Sequence, residues 1–432
     1  MNIMVVGGGG REHAIVKKIS ESKRAGKLYA VPGNGGIAAL AECINIKVTD
    51  VDAITEAAKA LRDKNSLDLV FVASDDPLSL GLVDKLEAEG IRAFGPRANA
   101  AIIEGSKRFS KDLMKKYNIP TAAYEIFESK DAACAYIKEK NTYPAVIKAD
   151  GLALGKGAII AQNYEEAQAA VVSMMEDKVF GSSGDRVVIE EFLTGRELTI
   201  LAFTDGTTVK PMVSSQDHKR AHDNDEGLNT GGMGAYSPSP LYTDELADIC
   251  MKTIFRPTID AMKAEGRTFK GVIYFELMIT EKGPFVIEYN ARFGDPEAQV
   301  VLPRLKTDLL DVIDAVIDGN LDKTDIEWSS NPAVCVVIAA GGYPVSYDKG
   351  DEIHGLGEAA KCEDTYVYHA GTALKDGKHV TNGGRVLCVS ATASTLDEAK
   401  AKAYEAVKKI TFKNSFCRSD IGKDMHSPSL VK

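Results

Sequence analysis

The chain has 432 residues, 44% hydrophobic and 26% charged, with a formal net charge of -10; these values suit a globular enzyme of roughly two to four domains and exclude a polycationic wrapper of nucleic acid. Seven cysteines without a C-x-x-C pair fit neither a disulfide scaffold nor a thiolate zinc site and suit a reducing cytoplasm. The opening apolar run is only strand-length, and no later stretch approaches ~18 uncharged apolar residues, so neither export nor membrane attachment is expected.

Residues 1–100 alternate short apolar strands, at 3–6 and 69–72, with helical segments at 53–61 and 80–88, the pattern of a parallel α/β domain. Gly7-Gly8-Gly9-Gly10-Arg11-Glu12-His13 follows the first strand and opens a helix, where backbone N–H groups can approach a phosphate. A dinucleotide fingerprint would need glycine where Glu12 stands, which weakens a nicotinamide reading; a turn needed only for helix packing is the alternative.

After Phe94-Gly95-Pro96, a helix carrying Phe109, Leu113, Met114 and Tyr117 ends before Pro120, and a new domain is expected near residue 101. Between 145 and 203, strands separated by glycine turns predict a small antiparallel lobe. Its loop, residues 149–157, follows Lys148 and contains Gly155, Lys156 and Gly157. It lacks the P-loop order and reads as a lid over ATP phosphates. Lys107 and Lys148 flank this lobe as point charges for polyphosphate, although an isolated lysine is ordinarily a solvated surface group. The apolar strand into Glu190, Glu191, Phe192 and Leu193 suits a hinge whose backbone reads adenine, with Glu197 placed for ribose hydroxyls; exposed acids ending a strand are the plainer reading.

Strands at 271–277 and 284–290 around Glu281-Lys282-Gly283 read as a hairpin. Glu288 and Asn290 then share a face, and a three-residue turn sets Glu276 opposite Glu288. Two carboxylates so close need a proton or a cation between them, and an all-oxygen ligand set favours Mg2+ or Mn2+ bridging ATP phosphates. Arg292, on the tail of this hairpin, offers a two-point grip on phosphate or carboxylate. Asp217, His218 and Lys219 lie in a polar loop as candidate substrate contacts, although an isolated histidine such as His218 is more often structural or at the surface than catalytic. A turn-forming cluster at 328–332 precedes the last domain, with a strand at 333–339 and a helix within 396–410.

Taken together, GGGGREHA at 7–14, PGNGG at 32–36, EGSK at 104–107, IKADGLALGKG at 147–157, SQDHKR at 215–220, NTGGMGAYSP at 229–238, EYNARFGDPE at 288–297, HAGT at 369–372 and NGGRVL at 382–387 resemble the ATP-grasp superfamily and, within it, the phosphoribosylamine-glycine ligase family. The resemblance implies an α/β and α+β multidomain protein: an N-terminal parallel α/β domain at 1–100, a two-lobed ATP-grasp domain at 101–328 with a mobile lid about 121–193, and a small mixed α/β domain at 329–432. It implies a ligase of de novo purine biosynthesis that joins glycine to 5-phosphoribosylamine through glycyl phosphate, giving glycinamide ribonucleotide, ADP and phosphate.

Residue by residue, the resemblance assigns Lys107, Lys148 and the Gly155-Lys156-Gly157 loop to ATP phosphates, Glu190, Glu191, Phe192, Leu193 and Glu197 to adenosine, and Glu288 and Asn290 to the metal. Gly10, Arg11, Glu12 and Asn34 fall around the sugar phosphate, Asp295 near the reacting amine, Arg385 beside it from the last domain, and Arg292 at the transferring phosphoryl or the glycine carboxylate. Asp75 stands where the family has glutamate, so a ribose contact there would be one methylene shorter. Glu276 stands where the family has glycine, and more distant ATP-grasp enzymes carry an acidic metal ligand there. Ala291 replaces a usual cysteine. A monomer, or at most a weak dimer, is expected, with neither nucleic-acid nor membrane partners. Another ATP-grasp carboxylate–amine ligase, a purine-pathway transformylase or a nucleotide-binding protein without turnover are the competing readings.

Overall fold

The computed structural model describes residues 1–152 and 157–424. Its first sheet has five parallel strands whose central members, Ile3–Gly7 and Leu69–Val72, are buried along their whole length, as parallel strands covered by helices on both faces must be. Leu28–Pro32 and Glu42–Cys43 lie on one side of Ile3–Gly7, while Leu69–Val72 and Ala93–Phe94 lie on the other. The strand order therefore reverses at Ile3–Gly7, which opens a crevice at the carboxyl ends of the two central strands. The expected helix at 80–88 begins only at Leu82, because Gly81 takes a left-handed conformation between Asp75–Ser79 and Leu82–Ala88.

Helix Lys107–Lys116 starts where the Ser106 side chain accepts from Phe109 N, relieving one of the open N–H groups of its first turn. Beyond it lies an antiparallel four-stranded sheet, ordered Tyr124–Phe127, Val187–Glu191, Ala145–Ala149, Ala158–Ala161. Helices Lys130–Lys140 and Tyr164–Met175 close a small separate core built on Ala133, Ile137, Ile147, Val171, Met174 and Ile189. A second antiparallel sheet is formed by Val209–Pro211, Arg196–Thr204, Gly271–Thr280 and Gly283–Asn290. It shares apolar cores with the N-terminal sheet, since Phe71, Phe203 and Phe293 pack together.

The hairpin differs from expectation at its turn. The first strand runs to Thr280, which pairs with Gly283, leaving a two-residue loop. With that loop, uninterrupted pairing would put Glu276 opposite Ile287. A bulge intervenes: Leu277 pairs with Val286 but Glu276 with Glu288, so Ile287 is the extra residue. The bulge, and not a three-residue turn, restores the pairing of the two acids.

The C-terminal sheet runs Gln216–Asp217, Gly234–Ser237, Ala333–Ala339, Arg385–Thr392, Thr365–His369, with helix Leu396–Val407 packed upon it. Its first two strands come from the polar 215–238 segment, which thereby joins the last third of the chain to the centre. Among the described residues no helix is long and apolar enough to cross a membrane.

Candidate active site

Gly7 to Arg11 turn at the crevice of the parallel sheet, and helix Gly10–Ser20 begins there, at the positive end where first-turn N–H groups have no intrahelical partner. The Glu12 side chain folds back beneath the turn: it accepts from Gly9 N (2.6 Å), Arg11 Nε (2.6 Å) and Ser74 Oγ (3.3 Å), and only 1% of the residue is exposed. The acid that replaces a fingerprint glycine is thus committed to holding the turn. Asn34 is committed as well, donating to Gly8 O (2.9 Å) and His369 O (2.7 Å) and accepting from the N–H groups of Gly36 and Ile37. Gly10 is buried, and a Cβ there would lie 2.6 Å from Gln299 Nε2.

The 290–297 stretch crosses this crevice. Arg11 N donates to Asp295 Oδ2 (3.3 Å) and Gln299 Nε2 to Asp295 Oδ1 (2.8 Å). Arg385 reaches in from the C-terminal sheet, donating to the carbonyls of Asp295 (2.7 Å), Gly231 (2.6 Å) and Gly232 (3.1 Å), with its other nitrogen 3.4 Å from Asp295 Oδ1. Burial pushes the Asp295 carboxyl upward, but Arg385 and Arg11 outweigh it and hold the group below its ordinary range. Arg292 pairs with Glu104 (2.8 Å) and donates to Asn290 Oδ1 (3.1 Å), leaving its buried Nε without a partner. Asp75, at the start of the short helix after Leu69–Val72, is likewise pushed up by burial and brought below the usual range by Arg292 and Arg11.

At the other end of the same stretch lies the four-stranded lobe. Lys148 is buried and donates to Glu190 (3.1 Å) and Ile287 O (3.4 Å). Lys111 donates to the same Glu190 carboxylate (2.9 Å) and to Thr121 Oγ1 (2.7 Å). Lys107 Nζ lies 3.5 Å from Gly151 O, beside the loop that Lys148 precedes. Glu191 accepts from Ala123 N, while Phe192 is 40% exposed. Among the described residues, the N–H groups of Phe192 and Leu193 bond to no protein acceptor, which leaves them available to an adenine edge. Gly155 and Lys156 lie outside the described residues; Gly157 accepts through its carbonyl from Ala149 N (2.9 Å) and starts the return of the loop.

Between these ends sit the hairpin acids. Glu276 is buried, forms an ion pair with Lys219 and faces Glu288 across the bulge. Burial, with Glu288 adding, pushes the Glu276 carboxyl up to about 8 against the pull of Lys219. Lys219 also pairs with Glu197 (3.2 Å) and lies 3.9 Å from Asp217, whose carboxyl burial pushes up to about 7. Glu288 has no ion-pair or hydrogen-bond partner among the described residues. Burial pushes it up, yet Lys107, Lys148, Lys219 and Arg292 together hold it below the usual range. A free carboxylate beside an amide oxygen, with an ammonium already seated on the facing acid, is a donor set that suits a hard divalent cation.

His218 is not brought to this cluster. Side chains alternate along the strand, so Asp217 and Lys219 face the acids while His218 turns away, accepts from Gly422 N (3.2 Å) and packs on Tyr236. Burial and Arg418 lower it to about 4, the state of a neutral packing residue.

Sequence reasoning left Glu104, Lys111, Glu297 and Gln299 without roles. Glu104 and Glu297 stand inside quoted motifs, and Lys111 follows Lys107 by one helical turn; that spacing was a readable signal. Glu297 accepts from the Tyr274 hydroxyl (3.0 Å), which also meets Thr199 Oγ1 (3.1 Å) beneath the acids.

Three family models match in succession: phosphoribosylglycinamide synthetase N domain over residues 1–104, its ATP-grasp (A) domain over 105–298 and its C domain over 333–424. The phosphoribosylamine–glycine ligase of Halalkalibacterium halodurans is 49% identical over 422 residues, covering 98% of this chain and 96% of its own. That of Caldanaerobacter subterraneus is 47% identical over 421 residues, covering 98% and 99%. The crystal structure of the Thermotoga maritima enzyme of the same name superposes with a TM-score of 0.84 at 32% identity, covering 98% of this chain and all of that one. A Campylobacter jejuni biotin carboxylase, at 16% identity and a TM-score of 0.73 over 96% and 92% of the two chains, shares the fold alone.

Proposed function

We propose, because this chain belongs to the phosphoribosylglycinamide synthetase family, that it is an ATP-dependent ligase joining glycine to 5-phosphoribosylamine by way of glycyl phosphate, a step of purine biosynthesis. Its full-length relatives carry the corresponding name. The observation that carries the reading is the 290–297 stretch: Arg292 stands by Asn290 and the hairpin acids, while three residues on Asp295 stands by Arg11 and Arg385 in the crevice. One segment thus spans a nucleotide end and a sugar-phosphate end.

At the nucleotide end, Lys107 and Lys148 supply positive charge to the ATP phosphates, and the N–H groups of Phe192 and Leu193, without acceptors among the described residues, read the adenine. A divalent cation, Mg2+ or Mn2+, held by Glu288 and Asn290 and reached by Glu276, would neutralise charge on the transferring phosphoryl group. Arg292, fixed by Glu104, keeps its guanidinium charged where glycine's carboxylate becomes an acyl phosphate. At the other end, the turn before helix Gly10–Ser20, with Arg11 beside it, receives the sugar phosphate. Asp295, held ionised by Arg385 and Arg11, accepts a hydrogen bond from the attacking amine and orients it. A monomer acting in the cytoplasm completes the reading.

The test is ADP release with ATP, glycine and phosphoribosylamine, omitting each substrate in turn. ADP should appear at full rate only with all three present. Turnover that persists without glycine but requires another carboxylate would move the chain to a different substrate class.

A further inference from the structure

We propose that Lys111 is a positioning residue for the nucleotide: by sharing Glu190 with Lys148, it keeps that carboxylate from pairing wholly with the Lys148 ammonium, which stays available to the ATP phosphates. This rests on the reading of Lys148 as a phosphate contact.

Lys111 lies one turn beyond Lys107 on helix Lys107–Lys116, with 2% of its side chain exposed. Its ammonium donates to Glu190 Oε2 and to Thr121 Oγ1, and Thr121 passes a hydrogen bond on to Val286 O (2.7 Å). Lys148 donates to the same carboxylate from the adjoining strand. Two buried ammonium groups therefore face one carboxylate. A single Lys–Glu pair would engage the carboxylate fully with one ammonium, whereas here two ammonium groups divide it. Burial pulls the Lys148 ammonium down, but Glu190, helped by Glu288 and Glu276 at longer range, holds it above its ordinary range. The groups facing Lys111 from the packed elements are Glu190 and Lys148 from the lobe, Glu288 from the hairpin, and the Tyr124 ring at 6.0 Å. Burial, with Lys148 adding, lowers Lys111 to about 8 against the pull of Glu190, which leaves it charged near neutral pH. If Lys111 were absent, Glu190 would turn wholly to Lys148 and cancel the charge intended for the nucleotide.

A residue that merely tied helix to lobe through the same Glu190 bond would lower stability without a selective loss of nucleotide affinity. The experiment therefore titrates the full-length protein with MgADP by calorimetry and measures KM for ATP and kcat in the wild type, Lys111→Met, Lys148→Met, Glu190→Gln and the Lys111→Met/Glu190→Gln double variant. Lys111→Met should bind MgADP about tenfold more weakly and raise KM for ATP to match, with kcat within about threefold of the wild type. In the Glu190→Gln background the same change should have little further effect, because no acid remains to claim Lys148. Wild-type affinity in Lys111→Met, or an equal loss in both backgrounds, would overturn the proposal. If Lys148→Met binds MgADP as the wild type does, the nucleotide reading itself fails, a result distinguishable from the first. Should Lys111→Met fail to fold, Lys111→Gln carries the same expectations, its amide reaching Thr121 without a charge.

Discussion

Replacing Arg385 by methionine tests whether the C-terminal domain completes the amine-binding end. The guanidinium donates to three carbonyls, those of Gly231, Gly232 and Asp295, at 2.6 to 3.1 Å, and lies 3.4 Å from the Asp295 carboxylate. Methionine removes every one of those bonds while filling much of the volume. A hydrogen bond from a charged group contributes ~1.5–3 kcal/mol, so losing even the equivalent of one near the reacting centre corresponds to about 10- to 150-fold in kcat/KM. The loss should fall on phosphoribosylamine, with KM for ATP nearly unchanged, because the nucleotide contacts lie beyond Arg292. Asp295 would also lose the larger of the two cations holding its carboxyl down. The acidic limb of the pH–rate profile should therefore move to higher pH. Steady-state kinetics with each substrate varied across a pH series reads both effects. An unchanged acidic limb, or equal losses against ATP and the amine, would refute the assignment of Arg385 and Asp295 to one end of the site.

Three further outcomes follow from the same geometry. Glu288→Ala should abolish ADP formation and lower the melting temperature only modestly, since the carboxylate loses the attraction of the surrounding cations but no direct partner among the described residues; near-normal turnover would remove Glu288 from the metal site. Glu276→Gly should shift the Mg2+ and Mn2+ dependence of turnover, and identical titrations in variant and wild type would make Glu276 only the counter-ion of Lys219. His13 and His218, each lowered from 6.5 to about 4 by burial, remain neutral in the fold but protonate in the unfolded chain. Their contribution is present above about pH 6.5 and is lost as pH falls toward 4, by about 2 kcal/mol each at pH 5. His13→Gln, whose amide oxygen can still accept from His369 N, should flatten the fall of the melting temperature between those pH values; an unaltered slope would show that His13 does not titrate on unfolding.

Local pattern made the strands, the glycine turn and the hairpin readable, because each rests on a short-range rule: alternation, helix opening, turn chemistry. It also placed Glu276 opposite Glu288, but through the wrong device. The bulge at Ile287 has no marker in an unbroken run of strand-forming residues, so the pairing was inferred from an incorrect loop length. Glu12 and Asn34 are legible as residues of the site, but the partners that engage them within the fold, Ser74 and His369, lie far along the chain. Long-range capture of a polar side chain leaves no local signature. Lys111 differs: its helical spacing from Lys107 was visible, but only burial against Glu190 separates it from a solvated lysine.

Charge pairing across the site argues for an order among the hairpin acids. Arg292 is claimed by Glu104, Lys148 by Glu190, Arg11 by Glu12 and Lys219 by Glu276 and Glu197. Of the two hairpin acids, Glu288 is the one held ionised by surrounding cations without touching any among the described residues. A metal approaching Glu288 and Asn290 breaks no ion pair at Glu288, although it must compete with Arg292 for the Asn290 oxygen. At Glu276 it must first displace an ammonium from a buried carboxylate, or share it, and separating a buried pair is strongly unfavourable. In the proposed metal site Glu288 is therefore the acid that would nucleate binding, and Glu276 would join only if Lys219 can shift onto Glu197 and Asp217. Lys219→Met, by freeing Glu276, should then tighten metal binding in direct titration even as it impairs turnover; weaker binding in that variant would show that Lys219 supports the metal site instead of competing with it.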